Sequence, residues 1–554
     1  MRLSCINKSC DNLKCSSIAI GFGLLSVCVI ILLLTSFLFL LGYNISNWIF
    51  PVSLLLASLP ILYISKKDNS SYWRNCLLFY SIILVSLALS SIAYDPTGDG
   101  LTYHQDIIYQ LKNGWNPVYA HHATGAHPVL AIWVSHYPKG IETISAVIYA
   151  FTNNIECGKT VNFMLVIASF CFILHYFSNV WAGLKATKRF YYIFILTLCP
   201  VVVAQGLTYY VDWSQYALLA ILVLTLLSMN NKIELYEKIT IGIVVVLAVS
   251  IKLNHAFWVG FTILCYLLYV VFRKKYSIAC SITLVSVVGL LVGCCVIGYN
   301  PYITNFIDHS NPLFSMLGEK GVIINNLPKS MPSNMVDNSA VENVFVSLFS
   351  HTIPPMLGTT PVKLYFPLTF TKYDLVACGT ADLRVSGYGL FFNVILILSL
   401  ILYGLCRLTR KERSMSLMIL SGLVVALFIL PFGWWARYVP FFYVFPFVIL
   451  LYSERYQLPV YLKKLRKVIY AFTVINILLV MGSALLISIS KYKQVEGLLY
   501  KLSDKKELKI NTGKNVGFKI KLEEAGINYT DTKDTVGLSF RCLHPPVFIN
   551  LPKE

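Results

Sequence analysis

The chain has 554 residues, of which 57% are hydrophobic and 13% charged, and its formal net charge is +19. A soluble domain carries about 25% charged residues, and here the apolar residues fall in blocks close to the roughly 20 that cross a bilayer, which excludes an ordinary soluble protein. The positive excess sits in short connections between those blocks and not on one soluble face, so a nucleic-acid partner is excluded as well.

Hydropathy predicts an all-α polytopic membrane protein with about 13 transmembrane helices. In chain order the spans fall near residues 17–43, 47–65, 73–94, 158–178, 189–205, 214–229, 239–255, 256–272, 277–298, 388–407, 414–432, 437–453 and 468–490. The expected organisation is an N-terminal membrane hairpin region (1–74), a membrane core (75–490) with outer loops 95–157 and 299–387, and a small extracytoplasmic C-terminal domain (491–554). That last segment is polar and Lys-rich, with short alternating runs such as VGFKIKL, and reads as a cap over a site.

Orientation follows from the basic residues. Lys66, Lys67 and Arg74 share one connection, Lys185, Lys188 and Arg189 the next, Lys232 and Lys238 a third, and Arg273, Lys274 and Lys275 a fourth. Arg407, Arg410, Lys411 and Arg413 follow, then Arg455, Lys463, Lys464, Arg466 and Lys467. Counting spans puts them all on one side, which is expected to be cytoplasmic, with the N-terminus inside and the C-terminus outside. The natural setting is a bacterial inner membrane. Those connections hold no Walker loop and no GxGxxG, so no nucleotide cofactor is expected.

The polar residues gather on the other side. His104, His121, His122, His127, His136, His255, His309, His351 and His544 lie in or beside outer segments, and only His175 lies toward the inner side. The first outer loop reads DPTGDGLTYHQDIIYQLKNGW, with Asp95 and Asp99 emerging straight after a span. Asp and Gly are also ordinary turn formers, so this loop alone leaves both readings open. Ile107, Ile108, Leu111 and Trp115 recur at helical spacing, which predicts an amphipathic helix over 103–115 lying in the interface, and 140–151 fits a second. The turn QGLTYYVDWSQ offers Tyr210 and Asp212, and the stretch YNPYITNFIDHSNPLF offers Asn305. ADLRVSGYG brings Asp382 and Arg384, and PFGWWARYVP brings Arg437 and Tyr438. An Arg at an outer helix start opposes the topogenic bias and suits bidentate phosphate binding. Lys252, a turn inside its span, either snorkels or neutralises a lipid phosphate. Cys378 and Cys542 share the outer face and are a candidate disulfide.

These blocks in this order resemble the GT-C class of membrane glycosyltransferases over roughly residues 75–450. The resemblance rests on the acidic first loop with TYH, on NPYITN and NPLF, on DLRVSGYG and on WWARYVP. The chain departs from the family's simplest pattern in having two extra spans before the acidic loop, and residues 491–554 match no part of it. The resemblance implies transfer of a sugar from a polyprenyl-phosphate carrier to an envelope glycan or lipid acceptor on the outer face. It implies Asp99, with Asp95 second, as the acidic residue that deprotonates the acceptor hydroxyl or helps to hold a divalent cation. Arg437, Lys252 and Arg384 would meet the leaving phosphate, while Tyr103 and His104 would shape the acceptor side. His121, His122 and His127 are imidazoles without the spacing of a named metal site. The next reading in order is an O-antigen or capsule polysaccharide polymerase or ligase, and after it a transporter or flippase. The latter would put charges at mid-membrane and repeats in the chain.

Overall fold

The computed structural model describes residues 2–229, 232–317, 330–353, 359–503, 508–532, 539–541, 543 and 545–549. It is mostly helical. Among the described residues, eight helices are long and apolar enough to cross a membrane: Ser16–Leu40, Ile49–Lys67, Tyr72–Ser91, Ile155–Val180, Leu253–Phe272, Tyr276–Ile297, Arg410–Ile429 and Val460–Ser503. The chain is thus an integral membrane protein by the length and composition of its helices.

The expected 13 spans are not all of that kind. Five of the expected segments are shorter or broken helices: Ala186–Thr197 with Pro200–Gln205, Asp212–Ser228, Leu235–Ile251, Phe392–Leu405 and Pro440–Val444 with Phe445–Ser453. Their neighbours explain why. Leu235–Ile251 buries an unbroken run from Ile243 to Ile251, and Asp212–Ser228 buries most of its surface. A helix sheathed by other helices is not required to offer a full lipid-facing length. Proline sets two of the breaks, because it lacks the N–H that a continuing helix needs; both Pro200 and Pro440 open a new helix.

The N-terminal hairpin is not a separate region. Ser16–Leu40 packs on Ile49–Lys67 and equally on Ile155–Val180, inside the main apolar core. The connections that carry the basic clusters meet one another at one end, through Lys67–Glu234 at 2.9 Å, Lys188–Glu454 and Arg466–Glu454 at 3.3 Å.

The boundary expected near residue 490 falls inside a single 44-residue helix, Val460–Ser503. Beyond it the chain is α/β. Strands β1 (Lys509–Asn511), β2 (Thr530–Asp531), β3 (Ser539–Arg541) and β4 (Val547–Ile549) form a sheet in the order β2-β1-β4-β3. The β1–β2 pair is parallel, with Lys509 opposite Thr530; β4 runs antiparallel to both β1 and β3, with Ile510 opposite Ile549. Ile510, Val547 and Ile549 close a small core with Phe518 and Leu522 and with Val495, Leu498 and Leu502 of the long helix. The run VGFKIKL, which has a strand's alternation, is helical within Val516–Glu524, and the Asn515 side chain caps it by accepting from the Phe518 N–H at 3.0 Å.

The predicted helix over 103–115 is shorter than expected, and its apolar face is covered by protein. A π-helical turn, Gly100–His104, leads into Gln105–Lys112. Ile107, Ile108, Leu111 and Trp115 pack on Phe39, Ile155, Tyr209 and Ile520, so protein covers the apolar face. The second expected interfacial helix, Gly140–Thr152, is buried along most of its length. Cys378 is buried, with its Sγ 3.4 Å from the Leu375 carbonyl. Cys542, its expected disulfide partner, and His544 lie outside the described residues.

Candidate functional site

One cavity of about 810 Å³ gathers ten of the twelve candidate residues: Asp99, Tyr103, His104, Tyr210, Asp212, Lys252, Asp382, Arg384, Arg437 and Tyr438. They come from five separate stretches of chain. Asp95 and Asn305 do not line it.

Three cations and two carboxylates form an alternating chain along the wall. Lys252 Nζ lies 2.5 Å from Asp212 Oδ1, and Arg437 Nε lies 3.7 Å from Asp212 Oδ2. Arg437 Nη1 is 3.0 Å from Asp382 Oδ1, and Arg384 Nη2 is 3.3 Å from Asp382 Oδ2. The local fold explains each position. Asp212 opens its helix, in the first turn, where a carboxylate meets the positive end of the helix. Lys252 is the single extended residue between Leu235–Ile251 and Leu253–Phe272, with φ −162° and ψ 140°. At that break the lysine pairs with Asp212 and lines the cavity.

Trp435 joins the two arginine motifs. Both the Arg384 and the Arg437 guanidinium lie 4.3 Å from the Trp435 ring centre. The Trp435 Nε1–H donates to the Leu383 carbonyl at 2.9 Å, which holds Asp382 and Arg384 in place. Tyr210 reaches the same network, donating to Asp382 Oδ2 at 3.3 Å. Arg437 Nε and Nη1, Arg384 Nε, Asp382 Oδ1 and Asp212 Oδ2 are buried yet make no aligned hydrogen bond. Those ion pairs are close in distance but leave donor capacity over, which suits an anionic ligand. Burial pushes the Asp382 carboxyl above the ordinary carboxylate range, against the pull of Arg437 and Arg384 and with a further push from Asp99.

Asp99 faces this network in a different state. Among the described residues, no hydrogen bond or ion pair engages its carboxylate, whereas Asp212 and Asp382 are paired with cations. Glu142, also in the wall, lies 2.5 Å from His104 Nδ1. Asp95 explains how Asp99 is placed. It is fully buried, and its carboxylate accepts from Thr97 N–H at 2.7 Å, from Thr97 Oγ1 at 2.6 Å and from Tyr209 N–H at 2.7 Å. It therefore anchors the turn and does not face the cavity. Glycine is required at position 100, because a Cβ there would meet Asp95 Oδ2 at 2.0 Å and Thr97 Oγ1 at 2.5 Å.

Asn305 sits elsewhere, 2.6 Å from His136 Nδ1. His121 pairs with Asp308 at 2.8 Å, His122 stands 3.9 Å from the same carboxylate, and His127 is apart from both, its ring accepting from the Val129 N–H. Among the described residues no group of three or more His, Cys, Asp or Glu side chains is arranged to hold a metal ion.

The lining also includes apolar side chains at and just beyond the ends of two helices long enough to cross a membrane: Leu253 and Phe257 of Leu253–Phe272, and Leu430 and Phe432 just after Arg410–Ile429. Lys514 and Pro545 of the C-terminal domain also reach the cavity. The helix Val516–Glu524 packs on Gly100–His104 and Gln105–Lys112. It is tied there by Tyr109 donating to Glu523 at 2.7 Å, by the Ile155 N–H donating to Glu524 at 2.7 Å, and by Lys521–Glu156 at 3.5 Å.

No family model, curated protein or solved structure matches the chain.

Glu142, Trp435 and Lys514 are site residues that the sequence did not single out. Glu142 carried a weak signal, being the one acidic residue of Gly140–Thr152. Trp435 was visible but had the look of an interfacial anchor.

Proposed function

We propose that the protein is a membrane glycosyltransferase that takes a sugar from a polyprenyl-phosphate carrier and passes it to an envelope glycan or lipid acceptor on the extracytoplasmic side. One observation carries the reading. A single cavity brings together Asp99, whose carboxylate has no partner among the described residues, the cations Lys252, Arg384, Arg437 and Lys514, and apolar side chains that include Leu253, Phe257, Leu430 and Phe432. A lipid phosphate needs both the cations and the apolar side chains, and an alcohol needs the carboxylate.

An alcohol is a poor nucleophile until a positioned base accepts its proton. In this reading the acceptor oxygen attacks the anomeric carbon on the face opposite the phosphate, and its proton passes to Asp99. The new C–O bond forms as the bond from the anomeric carbon to the phosphate oxygen breaks with its electron pair. The lipid phosphate leaves, its charge met by Arg437, Arg384 and Lys252. One inversion needs one base.

A probe with the same two-part chemistry tests the binding half. Farnesyl phosphate is expected to raise the melting midpoint of the purified protein in nanodiscs, farnesol is expected not to, and Arg437→Ala is expected to lose the response. An equal response to farnesol, or a full response in Arg437→Ala, would count against the phosphate role of these cations. The polymerase or ligase reading shares the same donor chemistry and is separated from the first by the product pattern, as set out below.

A further inference from the structure

Glu142 is a buried acid with a partner but no assigned task. It stands in the first turn of Gly140–Thr152 and lines the same cavity as Asp99. Its side chain and that of His104 are each 5% exposed. Oε1 lies 2.5 Å from His104 Nδ1, whereas Oε2 is buried and has no hydrogen-bond partner among the described residues. A buried carboxylate with an idle oxygen is costly, and packing alone gives no reason to keep one here. The His104 ring is further fixed by Tyr103, with ring centres 4.2 Å apart.

An ionised carboxylate only accepts hydrogen bonds, so at Nδ1 it requires the proton to be on that nitrogen. The other ring nitrogen, Nε2, is then the one left for a ligand. Asp99 supplies a second bare acceptor nearby. This side of the cavity therefore asks for a ligand that brings several hydroxyl donors.

We propose that Glu142 is a positioning residue that fixes His104 as its Nδ1–H tautomer, so that a bare Nε2 accepts from a hydroxyl adjacent to the one that reacts, which makes the acceptor a sugar and not a simple alcohol. This rests on the glycosyltransferase reading. The transfer itself is unchanged, with the reacting proton still going to Asp99. His104 holds the neighbouring hydroxyl, and Glu142 acts only through His104.

The ring state can be read without any substrate. With ¹⁵N-histidine in the full-length protein in nanodiscs, the His104 signal is identified by its loss in His104→Gln. The expected result is a protonated Nδ1 and a bare Nε2, with Glu142→Gln giving a mixture of tautomers and Glu142→Asp keeping the wild-type state. In complementation of surface-glycan synthesis, Glu142→Gln is expected to lower transfer on the order of tenfold, the size typical of losing an orienting partner, with Glu142→Asp recovering part of it. In a His104→Gln background the same change is expected to cost nothing more, because the two residues act as one unit. Membrane level and melting midpoint report whether each variant folds.

A wild-type ring protonated at Nε2, a ring unmoved by Glu142→Gln, or fully multiplicative losses in the double variant would overturn the proposal. The failures are separable. If the ring behaves as expected but the strain deleted for this protein makes an unaltered surface glycan, the glycosyltransferase reading fails and takes the acceptor assignment with it. If Asp99→Asn is dead but the ring is in the other state, only the role of Glu142 fails.

Discussion

Asp212 holds two cations at once, so its loss is expected to cost more than the loss of either cation. With Asp212→Ala, Lys252 and Arg437 would keep their burial and lose a carboxylate at 2.5 and 3.7 Å. Breaking a buried pair by removing one partner costs about 3–5 kcal/mol, because the other charge is left uncompensated. The expected outcome is a sharply lower melting midpoint or poor accumulation in the membrane, with the double variant Asp212→Ala, Lys252→Met recovering part of the loss. Asp374 gives a pH-dependent counterpart outside the spans. Burial opposes its ionisation, yet bonds from Thr371 N–H at 2.7 Å, Thr371 Oγ1 at 2.7 Å, Thr352 N–H at 2.8 Å and His351 at 2.8 Å hold it down to about 2. The folded value lies below the unfolded value of about 3.9. The stability it contributes is therefore full above about pH 4 and is lost as pH falls through about 2. Melting midpoints across that window are expected to drop less steeply in Asp374→Asn, which starts lower at neutral pH.

Among the elements, the segment 95–112 shows what was legible in sequence and what was not. The helical spacing of Ile107, Ile108 and Leu111 correctly implied a helix with one apolar face. What that face packs against was not legible, because the covering surface comes from distant chain: Tyr109 bonds Glu523 across 414 residues. No local pattern encodes such a partner. A comparable length of chain separates Gly517 from the surface it approaches. A Cβ at Gly517 would meet Gln105 Oε1 at 2.3 Å and Leu101 Cδ2 at 2.6 Å. Gly517→Val is therefore expected to lift the C-terminal domain from the segment that bears Asp99. Faster proteolysis of the domain and loss of transfer, at a normal membrane level, are the expected signs. Gly482→Ala is the matched control, since nothing lies within 4 Å of a Cβ there.

At the scale of the whole molecule, hydropathy located the helices because lipid forces every long span to be continuously apolar. Shorter helices, such as Leu235–Ile251, fall below the length of a full lipid-facing span, and other helices can replace lipid around them. The polar residues of the cavity were legible for a related reason. Charged groups near span ends are costly to keep and stand out against an apolar background, as Asp212, Lys252 and Arg437 do. Their pairing was not legible, since it arises from stretches far apart in the chain. Nor was the α/β character of residues beyond 503, where the strands are two or three residues long and too short to leave a periodic pattern.

The account turns on Asp99 as the base of a sugar transfer. The most direct measurement is a gel of surface polysaccharide from the source strain deleted for this protein and complemented with wild type or Asp99→Asn. Wild type is expected to restore the ladder. Asp99→Asn, present at an equal membrane level, is expected to leave every rung shifted by a missing sugar. Full restoration by Asp99→Asn would contradict the role of Asp99. A ladder that collapses to a single repeat in the deletion strain would contradict the decorating transferase and favour a polymerase or ligase.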